Sequence, residues 1–528
     1  MAFAVPGVTQ EIDSPVPTKW PRRSIFAILL ALYTLTVVRL AWYGDDWLIT
    51  LRTALNAHAG NGLVFNVGER VAGYTHPLWL MVILVVGSVT GSWVYAVVIV
   101  NGALAVMAAA LLLWRTRTAA AMVFVGLVLI TSNVVTVWST GGLEGPLGAL
   151  LIVALVALVP RQSPRPLRSV LWGVLIAAVA LTRLDAVILV APLVGLVMWS
   201  HRANRRHVGL MAAGALAPLA AWSLFAWVYY GSILPNTFAA KTNIDIPRSE
   251  LFGQGLFYLR YSLDYDSVIW VPLLAALVAV LGTRCSRAAA LLTGAGVYLI
   301  YVVSVGGDFM AGRFLYLPAI VCLLAIAEAS RDLRRPAPKW WKAFFVCAAG
   351  LVALVALANR SFALTSDTNS VGIMLRGVVD ERAFWVANAG TAVVGEPPVA
   401  PAITGMDPTS MQRTAAAWAR VKGTVPRTVD VEYAAIGRAG ILRGPQVHII
   451  DLCGLTDRFL AQQRFVPVPA EPTPMDPLFL SGPGWRVGHY ARPLPDGYID
   501  AVTWADPQLL RDPQQAQQLR QLWQSITP

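Results

Sequence analysis

Residues 24–42, SIFAILLALYTLTVVRLAW, run directly into Tyr43-Gly44-Asp45-Asp46-Trp47, and this junction decides the reading of the chain. The first part is long and apolar enough for a membrane-spanning helix. The second sets two adjacent carboxylates at the mouth of that helix, where desolvation is costly. Such a pair persists most readily where bulk water and a polar substrate both reach it. The junction therefore points to chemistry at the outer face of a membrane, on a substrate that is part lipid and part water-soluble.

Composition extends the membrane reading to most of the chain. Of 528 residues, 56% are hydrophobic and only 13% charged, against about 25% charged in soluble domains. Mean hydropathy is +0.60, and apolar runs recur at roughly the 15–22 residues that match a bilayer. This is the pattern of a polytopic α-helical membrane protein. Residues 1–23 are polar and proline-rich, and the run after them is too long for a cleaved signal peptide, so they read as a cytoplasmic tail held by Lys19, Arg22 and Arg23. The net charge of +12 lies entirely in residues 1–358, because residues 359–528 carry 15 basic and 15 acidic groups. It records topology and needs no nucleic-acid partner. Cys285, Cys322, Cys347 and Cys453 have no metal-ligand spacing and read as packing residues.

Basic clusters at Lys19–Arg23, Arg115/Arg117, Arg161–Arg168, Arg202–Arg206, Arg284/Arg287 and Arg331–Lys342 alternate with less basic turns at 45–77, 139–146, 182–185, 231–266 and 305–313. That alternation is the positive-inside pattern. It assigns about eleven spans within 24–358, with an outer loop over 43–96 in which 78–95 lies in or dips into the outer leaflet. Treating 78–95 as a crossing would put Arg115 and Arg117 outside and invert every later loop. Residues 359–528 hold 17 of the 34 prolines and no spanning run, so they form a C-terminal extracytoplasmic α/β domain. Within it 446–451 and 391–394 read as buried strands, 408–421 as a helix, and the Gln-rich 514–524 as a solvated helix or frayed tail.

Candidate site residues gather on the outer turns. Asp45 and Asp46 suit glycosyl transfer, which needs a carboxylate near the anomeric carbon, as a base on the acceptor hydroxyl or to stabilise or trap an oxocarbenium-like centre; helix capping is the plainer use. His76 precedes the leaflet helix, where Trp79 reads as an interfacial anchor. Glu144 follows Gly141-Gly142 and is either a cap or a second acid over the site. Arg183 and Asp185 read first as a salt bridge and second as substrate contacts. Lys241 is the only lysine between positions 19 and 339, a partner for a lipid phosphate or an ordinary solvated group. Asp308 and Arg313 flank a glycine-containing loop. The guanidinium there is suited to clamping phosphate, or the two residues simply pair. Composition alone makes Asp451–Asp457 and Arg486–Tyr490 turns.

Taken together, Asp45-Asp46, Asn61–Arg70, Gly73–Trp79, Gly142–Glu144, Leu234–Lys241 (with Asn236), Gly306–Met310 with Arg313, and Asp451–Asp457 resemble the GT-C type membrane glycosyltransferases. The likeness is greatest to the terminal arabinofuranosyltransferases of mycobacterial and corynebacterial cell-wall arabinan. These motifs, with His489, cover residues 45–490. The resemblance implies a GT-C-like core and a C-terminal extracytoplasmic domain in a multi-pass plasma-membrane protein. It implies a decaprenyl-phosphoryl-arabinofuranose type of donor, a cell-wall polysaccharide acceptor, a catalytic Asp45 or Asp46, and a donor phosphate held by Lys241 and Arg313. His76, Glu144, Arg183, Asp185, Asn236, Asp308 and His489 complete the expected substrate site. A β-linked donor and β product would require net retention. No cofactor is needed, because polyprenyl phosphate is already a good leaving group; a divalent ion at the acidic cluster stays open. The C-terminal region of 170 residues is short for that family, which leaves the acceptor, and a mannosyl- or other furanosyltransferase, open. A flippase for the same lipid is the alternative of a different class, and would want polar groups through the spans and pseudo-symmetric halves.

Overall fold

In the computed structural model, residues 21–160, 165–333, 337–358, 376–395, 403–422, 428–433, 435–467, 485–495 and 498–499 are described. A chain in hydrocarbon must satisfy its own backbone polar groups, so its apolar runs coil into helices. The first half of the membrane region contains α1 (Pro21–Arg39), α2 (Asp46–His58), α3 (Pro77–Thr90), α4 (Tyr95–Arg115), α5 (Ala119–Thr131), α6 (Asn133–Val137), α7 (Gly145–Ala157) and α8 (Pro166–Thr182). The second half contains α9 (Ala186–Ser200), α10 (Arg205–Tyr230), α11 (Asn236–Thr242), α12 (Arg248–Tyr265), α13 (Val271–Thr283), α14 (Ser286–Ser304), α15 (Tyr316–Asp332) and α16 (Lys339–Ala358). Among the described residues, α4, α10, α14, α16 and the run Arg313–Asp332 are long and apolar enough to cross a membrane. Helices α3, α5, α7, α8, α9 and α13 are apolar but shorter.

Every expected span coincides with a helix. The segment read as one span over 118–138 is two pieces, however. Ser132 is extended (φ −73°, ψ 120°) and its side chain caps α6 by accepting from Val135 N–H. Its hydroxyl donates to Asp266 at 2.5 Å, and the same carboxylate accepts from Val134 N–H at 2.9 Å. The polar groups freed by the break are thus satisfied internally.

Helix α15 is the axis of the bundle, buried from Tyr316 through Ser330. A helix apolar on all sides belongs in the centre. Around it, contacts are close where a glycine removes a side chain. A Cβ on Gly173 would lie 2.1 Å from Met211 O, one on Gly214 2.3 Å from Val170 O, and one on Gly294 2.0 Å from Leu189 O. These glycines bring α8 against α10 and α9 against α14, the small-residue packing that membrane helices use.

Basic groups collect at one end of the bundle. Arg22 donates to Trp114 O at 2.8 Å, Arg117 donates to Arg331 O at 2.9 Å, and Glu328 pairs with Arg115 and lies 3.9 Å from Arg287. The candidate residues lie at the opposite end.

The C-terminal region adds α17 (Glu381–Ala389), α18 (Pro408–Trp418), β1 (Thr428–Glu432), α19 (Ile436–Leu442), β2 (Val447–Asp451) and α20 (Arg458–Gln462). Strands β1 and β2 pair in parallel, Thr428 opposite Val447 and Glu432 opposite Asp451. The fold class expected, a helical membrane bundle with a C-terminal α/β region, is the one observed. The second expected strand, 391–394, is not in this sheet: Ala392 bridges Trp42, and Val393 N–H donates to Ala41 O at 2.9 Å. Its backbone pairs with the exit of α1 instead. Trp385, Met411, Ala415, Trp418 and Ile441 belong to the same buried cluster as the membrane helices, so this region is a lid packed on the bundle. The Gln-rich 514–524 lies outside the described residues.

Gly294→Val puts two methyl groups where the backbone of α9 stands. Overpacking of this kind costs about 1–3 kcal/mol or more. The expected result is a lower unfolding temperature in detergent than for Gly296→Val on the same helix, where a Cβ meets nothing within 4 Å.

Candidate active site

The turn after α1 is fastened before it presents its carboxylates. Trp42 Nε1 donates to Val137 O at 2.9 Å, Gly141 N–H donates to Trp42 O at 2.9 Å, and Tyr43 donates to Met406 O. Gly142, at φ 81°, faces the ring of Trp47, which a Cβ would approach to 2.5 Å. Trp79 is not an interfacial anchor: it is fully buried and donates to Gly142 O at 2.9 Å. The Gly141–Glu144 turn is therefore locked against the Asp45-Asp46 turn by two tryptophans and two glycines.

The two aspartates part company here. Asp45 is buried, and its carboxylate accepts from Gly437 N–H at 3.1 Å and Arg438 N–H at 2.5 Å, at the start of α19. Burial, then the charge of Asp46, pushes it up to about 7 against the pull of those amides. Seven residues on, Arg52 is fully buried and donates to Phe65 O at 2.6 Å, Val447 O at 2.7 Å and Gly440 O at the end of α19. Its guanidinium lies between the rings of Phe65 (4.7 Å) and Trp418 (5.1 Å). The acid at the N-terminus of α19 and the base at its C-terminus both suit the helix dipole. Gly437 permits the approach, since a Cβ there would stand 2.3 Å from Asp45 O. Asp45 thus serves a cap, though on α19 and not on its own helix.

Asp46 turns the other way. Its carboxylate lies 3.4 Å from Arg313 Nη1, which is also 3.7 Å from Asp308, while Arg313 Nη2 is 3.9 Å from Glu144. The side chain of Asp46 is 30% exposed, against 2% for Glu144 and 5% for Asp308, so Asp46 is the acid of this group most open to a substrate. Its pKa is raised, first by desolvation, with Arg313 and Lys241 pulling down and Asp308 and Glu144 pushing up. Arg313 follows Gly312 (φ 72°) in a one-turn 3-10 helix (Arg313–Leu315) that starts α15, and Gly306 and Gly307 fold the preceding loop at φ 86° and 77°. Arg313 Nε, Asp308 Oδ2 and Glu144 Oε2 are buried without a hydrogen-bond partner among the described residues. Buried polar groups normally find partners, so this cluster has unused capacity.

Behind it runs a fixed charge relay. Arg183 donates to Asp185 at 3.0 and 2.7 Å and to Glu144 at 3.0 Å, and Tyr298 donates to Asp185 at 2.7 Å. Nδ1 of His76 lies 3.3 Å from Glu144, and its Nε2 is 2.7 Å from Thr50 Oγ1. Burial lowers the pKa of His76 despite Glu144. For Glu144, burial is outweighed by His76, Arg183 and Arg313, and its pKa is lowered. Glu144, Arg183, Arg313 and Tyr298 also border a cavity entering the bundle beside Trp138, Leu143, Phe314 and Leu317.

Lys241 is exposed at the edge of the cluster, on α11. Asp308 and Asp46 favour its charged form and Arg313 opposes it. Gly488 adjoins the lysine: a Cβ there would make an ordinary contact, 3.8 Å from Lys241 Nζ. His489 stands edge-on to Phe309 with ring centres 4.4 Å apart, and burial, then Arg486 and Lys241, hold its pKa well below the usual histidine value. Asn236 is spent on the fold: its amide donates to Gly454, Leu455 and Asp457 carbonyls at 2.7, 3.3 and 3.0 Å. It ties the Lys241 helix to the Asp451–Asp457 loop, whose Asp451 accepts from Cys453 and Thr456 N–H at 2.9 Å. Asn66 of the Asn61–Arg70 segment pairs with both backbone groups of Ile449 at 2.9 and 3.0 Å.

Sequence reading missed Arg52, Thr50, Tyr258 and Tyr298. Tyr258 is buried; its hydroxyl donates to Met310 O and accepts from Phe314 N–H, each at 3.2 Å, bracing both sides of Arg313. The seven-residue spacing of Asp45 and Arg52 was a usable signal for one helix face; the tyrosines look like ordinary apolar-helix residues. Among the described residues no group of three His, Cys, Asp or Glu is placed to hold a metal ion.

Two outcomes follow from this geometry. In Arg313→Met, Asp46 loses the first-ranked cation holding its pKa down, so its carboxyl band, isolated by infrared difference against Asp46→Asn, titrates at higher pH than in the native chain. Gly437→Val wedges α19 off Asp45, and hydrogen exchange over 436–451 quickens while the α14–α15 amides keep their protection.

No protein-family model matches the chain. It is 29% identical over 406 residues to the terminal β-(1→2)-arabinofuranosyltransferase of Mycobacterium tuberculosis, covering 66% of this chain and 63% of that protein. It is 28% identical over 404 residues to the protein of the same name from Corynebacterium glutamicum, covering 65% and 55%. The matched region thus spans less than two thirds of either relative's length. Among solved structures, an Archaeoglobus fulgidus oligosaccharyltransferase aligns at a TM-score of 0.43 and 12% identity, over 82% of this chain and 64% of that one. The resemblance carried by the motifs is borne out at the level of sequence: this chain is similar to two proteins named terminal β-(1→2)-arabinofuranosyltransferase.

Proposed function

We propose that this protein is a membrane glycosyltransferase that moves a pentofuranose, arabinofuranose, from a polyprenyl-phosphate donor to a cell-wall polysaccharide. The site then faces outside the cytoplasm, opposite the end where the basic groups collect. The observation that carries the reading is Arg313, which lies 3.4 Å from Asp46 with its Nε buried and, among the described residues, unpartnered. One partly exposed carboxylate and a cation with spare donor capacity lie within 4 Å of each other, as a sugar phosphate requires. The sequence relatives supply the transferred sugar.

In this reading Arg313 and Lys241 hold the donor phosphate, and Asp46 faces the anomeric carbon. The bond from that carbon to the phosphate oxygen breaks, and its electron pair leaves on the polyprenyl phosphate, where the two cations stabilise the added charge. An acceptor hydroxyl bonds to the same carbon and gives up its proton to Asp46 or to the departing phosphate. A β-linked donor and a β product place one further duty on Asp46, which must shield or trap the oxocarbenium-like centre so that configuration is retained. Arg183, Asp185, Glu144, His76 and Asp308 fix Arg313 in place. His489, held neutral, is suited to a sugar hydroxyl, and Asn236 positions Lys241. Asp45 orients the turn through α19.

The test is transfer by purified protein from synthetic polyprenyl-phosphate sugars, with linkage analysis. Asp46→Asn should lose kcat by about 10²–10⁴-fold while still binding donor. Lys241→Met should chiefly raise the donor KM. An Asp46→Asn protein that transfers at the native rate would remove the assignment. A protein that moves the intact lipid across vesicles without transferring its sugar would favour the flippase.

A further inference from the structure

We propose that α12 is an in-plane membrane anchor, lying flat in the leaflet on the site side of the bundle with one apolar stripe among the acyl chains. Its orientation follows from two points at which it is fastened, its middle and its C-terminus. Gly255 packs against Val303, one residue from the site-side end of α14; a Cβ there would be 2.2 Å from Val303 O. At its C-terminal end Asp266 accepts from Ser132 and Val134, at the site-side end of α5. A helix that joins the same-side ends of two spans runs across the bundle and not through it.

One flank of its exposed surface is apolar where water would favour polar groups. Phe252, Leu256 and Leu263 are 52%, 49% and 41% exposed, and with Leu259 their spacing of four, three and four residues makes one stripe. About a quarter-turn away lies the exposed pair Arg260–Asp264, at 2.8 Å. A stripe beside a charged edge is the division expected of an interfacial helix. The occupant is lipid because the stripe continues the bundle's own lipid-facing surface. Val297 and Ile300 stand exposed at the site-side end of α14, and Leu274, Leu277 and Leu281 do so along α13, which α12 feeds directly. The buried side of the same helix carries Tyr258, which braces Met310 and Phe314 around Arg313. Membrane seating and the Arg313 loop therefore share one rigid element. This inference does not depend on the transfer reaction.

Nitroxide labels placed singly at Leu256, Leu263 and Asp264, in full-length protein within lipid nanodiscs, test it by collision with oxygen and with an aqueous nickel chelate. The expected result is an oxygen-to-nickel accessibility ratio severalfold higher at Leu256 and Leu263 than at Asp264. Equal nickel access at all three would put the stripe in water and overturn the proposal. Shielding of Leu256 and Leu263 from both reagents would also overturn it, in favour of a protein partner or a second copy. Should replacing Cys285, Cys322, Cys347 and Cys453 reduce the yield of folded protein, a genetically encoded keto side chain carries the label with the cysteines in place.

Discussion

Everything at the site end depends on one guanidinium shared among three carboxylates. Arg313 lies within 4 Å of Asp46, Asp308 and Glu144 and belongs exclusively to none of them. Buried charge is tolerated only with compensation, and here the compensation is distributed. Glu144 is tied down from behind by Arg183, which is itself neutralised by Asp185. The arrangement leaves Arg313 with donors to spare and Asp46 with open surface. A tightly bidentate Arg–Asp pair would be more stable and less able to accept an anionic ligand.

Around that centre the chain spends much of its polar vocabulary on rigidity. Asn66, Asn236 and Arg52 each satisfy backbone groups of distant segments and tie the C-terminal region to the membrane half, while Asp451 braces its own loop. The clamp on α19 is the clearest case. An acid and a base seven residues apart hold the two ends of a short helix, and glycines at 437 and 440 let the helices touch. The consequence is a division of labour within Asp45-Asp46, one carboxylate facing the lid and the other facing Arg313.

The glycines show the same economy. Those in the helices shorten interhelical distances, as at Gly173, Gly214 and Gly294. Those in the loops adopt positive φ, as at Gly142, Gly307 and Gly312, and allow bulky neighbours such as Trp47 and Tyr258 to close over them. An apolar composition would permit many bundles; these contacts select one.

What the chain carries on its surface as text is what repeats with short period or bears charge. The helical segments, the alternation of basic clusters and the grouping of Asp46, Glu144, Lys241, Asp308 and Arg313 at one end of the bundle were legible, because hydropathy and charge act locally and bilayer thickness sets one length. The break at Ser132, the docking of 391–394 on α1, the burial of Trp79 and the separate fates of Asp45 and Asp46 were not. Each turns on a partner tens to hundreds of residues away, supplied only when the helices pack. Sequence determined which groups would stand at the site end, and tertiary structure decided which of them are spent on backbone amides and which stay open, because a carboxylate's role is set by its neighbours' donors and not by its own chemistry.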